Sequence, residues 1–271
     1  DAFTFADVVF INGCDYSVPH PIRYRVDHQI QQLESNGLSA AKVDAWDLTM
    51  DHLGGGRCFV IFRCPITPFV EEFIKKAQSL NKKVIFDIDD LVVYTRYTDT
   101  IEYLDSMSSD ERALYDDGVQ RMGATLKACG SALTTTERLA VELGTLVPEV
   151  FINRNTASEE MLDYSNRALF ERDVLPSLPS EKVEEKDRQH WEWAMNHARA
   201  EEAGPIYIGY FSGSITHNDD FAILLPVLAS IMESRRDVRL KVVGELDIPK
   251  ELEAYADRIE TVGFCDWQQL P

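Results

Sequence analysis

Short apolar, β-branched runs alternate with longer amphipathic stretches along almost the whole chain. That rhythm restricts it to βα units wound around parallel sheets. Val8-Val9-Phe10-Ile11 reads as a buried strand ending at Asn12-Gly13, and Ile22 to Leu33 carries apolar residues at helical spacing up to the stop signal Asn36-Gly37. Ala41 to Trp46 and Phe59-Val60-Ile61-Phe62 are the next expected strands. Pro65 and Pro68 then introduce a helix through Val70, Phe73, Ile74 and Ala77. Val84-Ile85-Phe86 runs into Asp87-Ile88-Asp89-Asp90, and a helix over 109–127 leads to strand Ala132-Leu133-Thr134. Thr136 caps a short helix, and Val150-Phe151-Ile152 closes this half at Asn153-Arg154-Asn155.

The rhythm breaks over 156–203, where Pro176 and Pro179 precede the charged stretch Glu181 to Glu202, and it restarts at Ile206. Strands follow at 206–211, 238–243 and 259–262, with helices over 219–234 and 250–257 between them. The expected organisation is a domain over 1–155, a helical linker over 156–203 and a partial second domain over 204–271. Three strands are few for a doubly wound sheet, and the chain starts at Asp1 rather than Met, so a piece of a longer protein is expected.

Composition narrows the function classes. The 271 residues carry 27 basic against 46 acidic side chains, a net charge of −19, so no global positive field exists to draw in nucleic acid. Cys14, Cys58, Cys64, Cys129 and Cys265 are scattered without a CxxC pair, which points to a reducing, cytoplasmic setting without a zinc site. No apolar run reaches the roughly 18 residues that a transmembrane helix needs.

The candidate sites lie where strands end. Phe211-Ser212-Gly213-Ser214-Ile215-Thr216-His217 empties a strand into glycine and hydroxyl residues at a helix start, the outline of an anion site; plain helix capping is the simpler alternative. Gly244-Glu245 ends the neighbouring strand at the same edge, where open α/β sheets bind ligands. Neither turn is GxGxxG, and no GxxxxGK[ST] occurs. In the first half, Gly13 is followed by Arg23 and Arg25, a loop and an arginine pair suited to a polar or phosphorylated acceptor. Asp87-Ile88-Asp89-Asp90 invites three readings: a DxD metal site for a nucleotide diphosphate, the Asp87 nucleophile of a haloacid-dehalogenase-like phosphatase, or acids at a helix start. The phosphatase pattern wants Thr or Val where Leu91 stands.

Taken together, several segments carry a likeness. They are Tyr24 to Ile30 with Leu33, Val84 to Asp90, Ile152 to Asn155, Ile208 to Ser214, Val238 to Gly244, and Ile259 to Phe264 with Trp267 and Leu270-Pro271. In these the chain resembles the group 1, family 4-like GT-B glycosyltransferases of bacterial polysaccharide and O-antigen type. The resemblance implies two Rossmann-like domains across a cleft, the second truncated. It implies transfer of a sugar from a nucleotide-diphosphate-sugar to a glycan or lipid-linked acceptor, without a cofactor or catalytic metal. Gly213, Ser214, Thr216, His217, Gly244 and Glu245 would then bind the donor, and Gly13, Arg23 and Arg25 would lie on the acceptor side, with Asp89 and Asp90 as base or sugar contacts. The setting implied is cytoplasmic, peripheral to the inner membrane. Two departures stand out: no Arg or Lys-Gly clamp occurs within Ser212 to Asp220, and the family's paired-glutamate segment would fall beyond Pro271. A non-catalytic carbohydrate- or partner-binding module with a decayed donor site is the alternative from another class.

Overall fold

In the computed structural model, which describes residues 5–16, 19–197, 204–212 and 218–270, every strand pairing is parallel and the strands form two separate sheets. The chain divides into two compact units, Asp1–Ser158 and Glu159–Pro271.

The first unit holds β1 (Ala6–Asn12), α1 (Pro19–Ile22), α2 (His28–Ser35), β2 (Ala40–Asp44), β3 (Gly56–Phe62), α3 (Pro68–Ser79) and β4 (Lys83–Asp87). There follow α4 (Thr95–Thr98), α5 (Ser109–Cys129), β5 (Ser131–Thr134), α6 (Glu137–Leu143) and β6 (Glu149–Ile152). The sheet order is β2-β1-β3-β4-β5-β6. Both faces are covered, which is why its strands are apolar at consecutive positions. Along β3, Phe59 and Ile61 pack on the side of Val70, Phe73 and Ile74 of α3, while Val60 and Phe62 pack with Ile22 and Val26 on the other. Phe59 and Phe73 meet edge to face at 5.1 Å.

Local sequence sets the helix starts. The Thr67 hydroxyl accepts from the Val70 amide with Pro68 in the first turn, so α3 begins at Pro68 and Pro65 stays outside it. Ser108 and Glu111 form a reciprocal capping box at the head of α5. The second strand ends at Asp44, two residues short of the expected Trp46. A turn closed by the Asp47 amide donating to the Asp44 carbonyl swings Trp46 out of the sheet.

In the second unit, α7 (Glu159–Leu169) and α8 (Arg188–His197) precede β7 (Ile206–Phe211), α9 (Asn218–Ser234), β8 (Val238–Val243) and β9 (Ile259–Val262), with sheet order β7-β8-β9. The charged stretch expected as a linker thus groups with this unit, and within it Ala194 is buried while the Trp191 indole donates to the Leu178 carbonyl. Phe221, Leu228 and Met232 of α9 pack on Leu240 and Val242 of β8. The helix expected over 250–257 is a run of tight turns, Lys250–Arg258, broken at Tyr255. No helix among the described residues is long and apolar enough to cross a membrane.

Candidate functional site

Register aligns the strand tips of the first sheet in one row. Asn12 pairs with both Asp44 and Phe62, and Phe62 pairs with Asp87. The residues that follow therefore emerge together at one carboxyl edge. The chain leaves β1 toward β2 and leaves β3 toward β4, in opposite directions, so the sheet switches between β1 and β3. Open α/β sheets bind ligands in the crevice at such a point.

Gly13 sits on that point. Its amide donates to the Phe62 carbonyl at 2.8 Å, and a Cβ there would lie 2.3 Å from the Cys64 Cα, so no other residue fits without moving backbone. The loop after β3 brings in Arg63, which sequence reasoning missed. Its backbone is left-handed, φ +41°, a conformation that non-glycine residues hold only under constraint. The constraint is visible: the Arg63 guanidinium donates to Asp89 (Nε to Oδ1, 2.7 Å), pairs with Asp90, and lies 5.8 Å from the Phe62 ring centre. Asp90 is 62% exposed, whereas Arg63 and Asp89 are mostly enclosed. Burial lifts the Asp89 carboxyl above the usual range against the pull of Arg63. For Arg63, burial works against the charge and the two aspartates outweigh it, so it is held more firmly protonated. The only sequence sign of this residue was a cation immediately after the buried run 59–62.

Arg25 lies elsewhere than its assignment to an acceptor loop anticipates. Between α1 and α2 the helix widens into a π turn over Arg23–Asp27, and such bulges re-aim side chains. Here Arg25 turns inward until it is fully buried, paired with Asp87 (Nη2 to Oδ1, 2.7 Å). Its Nη1 donates to the Asn153 carbonyl at 2.7 Å and to Asn155, while Gln29 donates to the other Asp87 oxygen at 2.9 Å. Arg25 therefore ties α2, the tip of β4 and the chain after β6 together. Arg23 is half-buried on the same turn. Asp87 is 0% exposed, which corrects the phosphatase alternative: an enclosed carboxylate with both oxygens occupied does not reach a phosphoester. Burial pushes the Cys14 thiol up to about 11, which lowers its thiolate fraction at neutral pH.

In the second unit the described residues include only part of the expected donor set. Gly213, Ser214, Thr216 and His217 lie outside them. Gly244 has φ +99°, and a Cβ there would lie 1.9 Å from the Ser212 carbonyl oxygen. The Ser212 amide donates to the Val243 carbonyl and its hydroxyl to the carbonyl of Glu245, whose side chain is exposed. Asn218 and Asp247 exchange two further hydrogen bonds, binding the turn after β8 to the start of α9. No group of three or more His, Cys, Asp or Glu among the described residues is placed to hold a metal ion.

Fold and site together define an α/β chain of two Rossmann-like units, each with a glycine at the carboxyl edge of a parallel sheet. No family model matches the chain, and no curated protein matches it. Among solved structures it is similar to a protein assigned as a UDP-N-acetylglucosamine 2-epimerase from Listeria monocytogenes, at 11% identity and a TM-score of 0.39 over 98% of this chain and 70% of that one. It is also similar to a UDP-glucosyltransferase from Polygonum tinctorium capable of glucosylating indoxyl, at 11% identity and a TM-score of 0.36 over 97% of this chain and 72% of that one. Both are likenesses of chain course and bring no site residue with them.

Proposed function

We propose that this chain is part of a GT-B-type glycosyltransferase that moves a sugar from a nucleotide-diphosphate-sugar to a glycan or lipid-linked acceptor in polysaccharide synthesis. On this reading it works in the cytoplasm, at the inner face of a membrane, without a catalytic metal. The observation that supports it best is Gly244 after β8, packed so closely on Ser212 at the end of β7 that a side chain is excluded. A residue without a side chain at a sheet edge lets a ligand come close to the backbone. Gly213, Ser214, Thr216, His217, Gly244 and Glu245 would hold the donor. The Gly13 loop and Arg23 would serve the acceptor, with Arg25 holding the scaffold beneath it. Asp89, raised by burial and held by Arg63, would orient or accept a proton from an acceptor hydroxyl, with Asp90 as a sugar contact. Rate enhancement would come from positioning and from stabilising the departing diphosphate at helix N-termini.

Calorimetric titration of the whole protein with nucleoside diphosphates and their sugar conjugates, with and without EDTA, tests the reading. Binding that survives EDTA is expected. Binding that demands a divalent ion contradicts it, and no binding of any nucleotide leaves the carbohydrate-binding module as the better account.

A further inference from the structure

Two aromatic rings stand out at the outer end of the same carboxyl edge, away from the Arg63 cluster in sequence and on the β1 and β2 loops. Trp46 is 58% exposed and Tyr16 is 51% exposed, and they meet edge to face at 6.2 Å and 76°. Their placement is built from below. Asn12 is fully buried; its amide nitrogen donates to Asp44 Oδ1 at 2.8 Å and to the Cys14 carbonyl, and its side-chain oxygen accepts from the Cys14 amide. The Tyr16 hydroxyl in turn donates to both Asp44 oxygens, at 3.1 and 3.2 Å. Trp46 is carried on the turn closed between Asp44 and Asp47, and the Ala45 amide donates to the Asn12 carbonyl at 2.8 Å. A buried polar residue thus fixes two exposed rings that add nothing to the hydrophobic core.

We propose that Tyr16 and Trp46, with Asp44 between them, form a stacking platform for a neutral saccharide chain. Large aromatic rings held rigidly in water are suited to a ligand that is apolar on its faces and polar at its edges. A pyranose fits that description, since its C–H bonds lie on the faces and its hydroxyls at the rim. The surroundings decide between ligand classes. Asp44 and the exposed Asp47 disfavour a phosphorylated or otherwise anionic ligand. A cationic ligand is already matched from within: the Lys42 ammonium lies 5.9 Å from the Tyr16 ring centre and is paired with Asp27 at 2.8 Å. A protein partner needs about 1,000 Å² or more of buried surface, far beyond two rings. The platform deepens the proposed transfer reaction by naming its acceptor class, but saccharide binding requires no donor and is measured without one.

The test uses the whole protein with its tryptophan indoles labelled with nitrogen-15, the Trp46 signal being assigned as the one that Trp46→Ala removes. Neutral pentasaccharides of glucose, mannose, galactose and N-acetylglucosamine are titrated in turn. The expected result is that at least one shifts the Trp46 signal with a Kd on the order of 1 mM. Trp46→Ala should weaken that binding about tenfold, read from the sugar protons by saturation-transfer NMR since the variant lacks the Trp46 signal, and Tyr16→Phe, which keeps the ring, by less. Circular dichroism of both variants should match the parent, because the rings are exposed. The proposal is overturned if no pentasaccharide moves Trp46, if Trp46→Ala binds as tightly as the parent, or if oligolysine shifts Trp46 while every sugar leaves it still. Nucleotide calorimetry on the same sample separates the two claims. Nucleotide binding without a saccharide shift sinks only the platform, and a saccharide shift without nucleotide binding sinks only sugar transfer.

Discussion

Asp87→Asn is the most searching perturbation of the first unit. It keeps the side chain's shape, removes its charge, and leaves the fully buried Arg25 guanidinium facing only neutral groups: the Asn153 carbonyl, Asn155 and the new amide. Removing one partner of a buried pair costs about 3–5 kcal/mol. That is a large share of a typical total of about 5–15 kcal/mol. For a unit of this size it corresponds to a fall in Tm of roughly 6–20 °C. Trp46 is the one tryptophan within residues 1–158, so with Trp191, Trp193 and Trp267 replaced by Phe its fluorescence during urea or thermal unfolding reports this unit separately from the second. A second arm, Arg25→Met with Asp87→Leu, removes both charges and should recover most of the loss, because the attraction between the partners does little more than offset their desolvation. If Asp87→Asn unfolds within about 0.5 kcal/mol of the parent at neutral pH, the pair is not the tie described and the reasoning fails.

Gly13→Ala and Gly244→Ala should each destabilise their own unit by about 2–4 kcal/mol in urea unfolding, since each Cβ meets backbone. Gly54→Ala meets nothing within 4 Å and should be neutral or stabilising by up to about 1 kcal/mol, so equal effects at all three positions would refute the close-approach argument. Arg63→Gln leaves Asp89 enclosed without its cation, and its carboxyl should titrate still higher; a carbon-13 NMR pH titration that shows it falling would contradict the assigned pairing. Cys14, whose thiol burial pushes from 9.0 up to about 11, should react with iodoacetamide at neutral pH roughly 100-fold more slowly than an unperturbed cysteine, and mass spectrometry showing rapid labelling there would disprove its enclosure.

The parallel sheets were legible in the sequence because a strand buried on both faces has to be apolar at consecutive positions, as Phe59 to Phe62 is. Gly13 was legible for the same kind of reason: a strand that stops at Asn-Gly signals a turn. The fate of the charges was not. Whether Arg25 faces solvent or the interior depends on a π turn that shifts the helix phase, and nothing in the order Arg23-Tyr24-Arg25 announces that turn. Arg63 and Asp89 are 26 positions apart, and only the β3–β4 register makes them neighbours. Helical spacing located the segment after Pro249 but not its type: it is a 3-10 helix whose backbone breaks at Tyr255, while Arg258 is bonded to the carbonyls of Met232, Arg235 and Val238.

The commitment of these arginines bears on what the first unit can bind. Arg25 is enclosed by Asp87, and Arg63 is met by two aspartates, of which only Asp90 is exposed, so the Arg63 cluster at the edge of the first sheet joins one cation to two carboxyl groups. A diphosphate arriving there would have to displace Asp89 or Asp90 from Arg63 and would still face the displaced carboxylate. A sugar hydroxyl would face no such opposition, because it can donate to Asp90 while the ion pair stays intact. The electrostatics of the first unit therefore suit a neutral, hydroxyl-rich ligand.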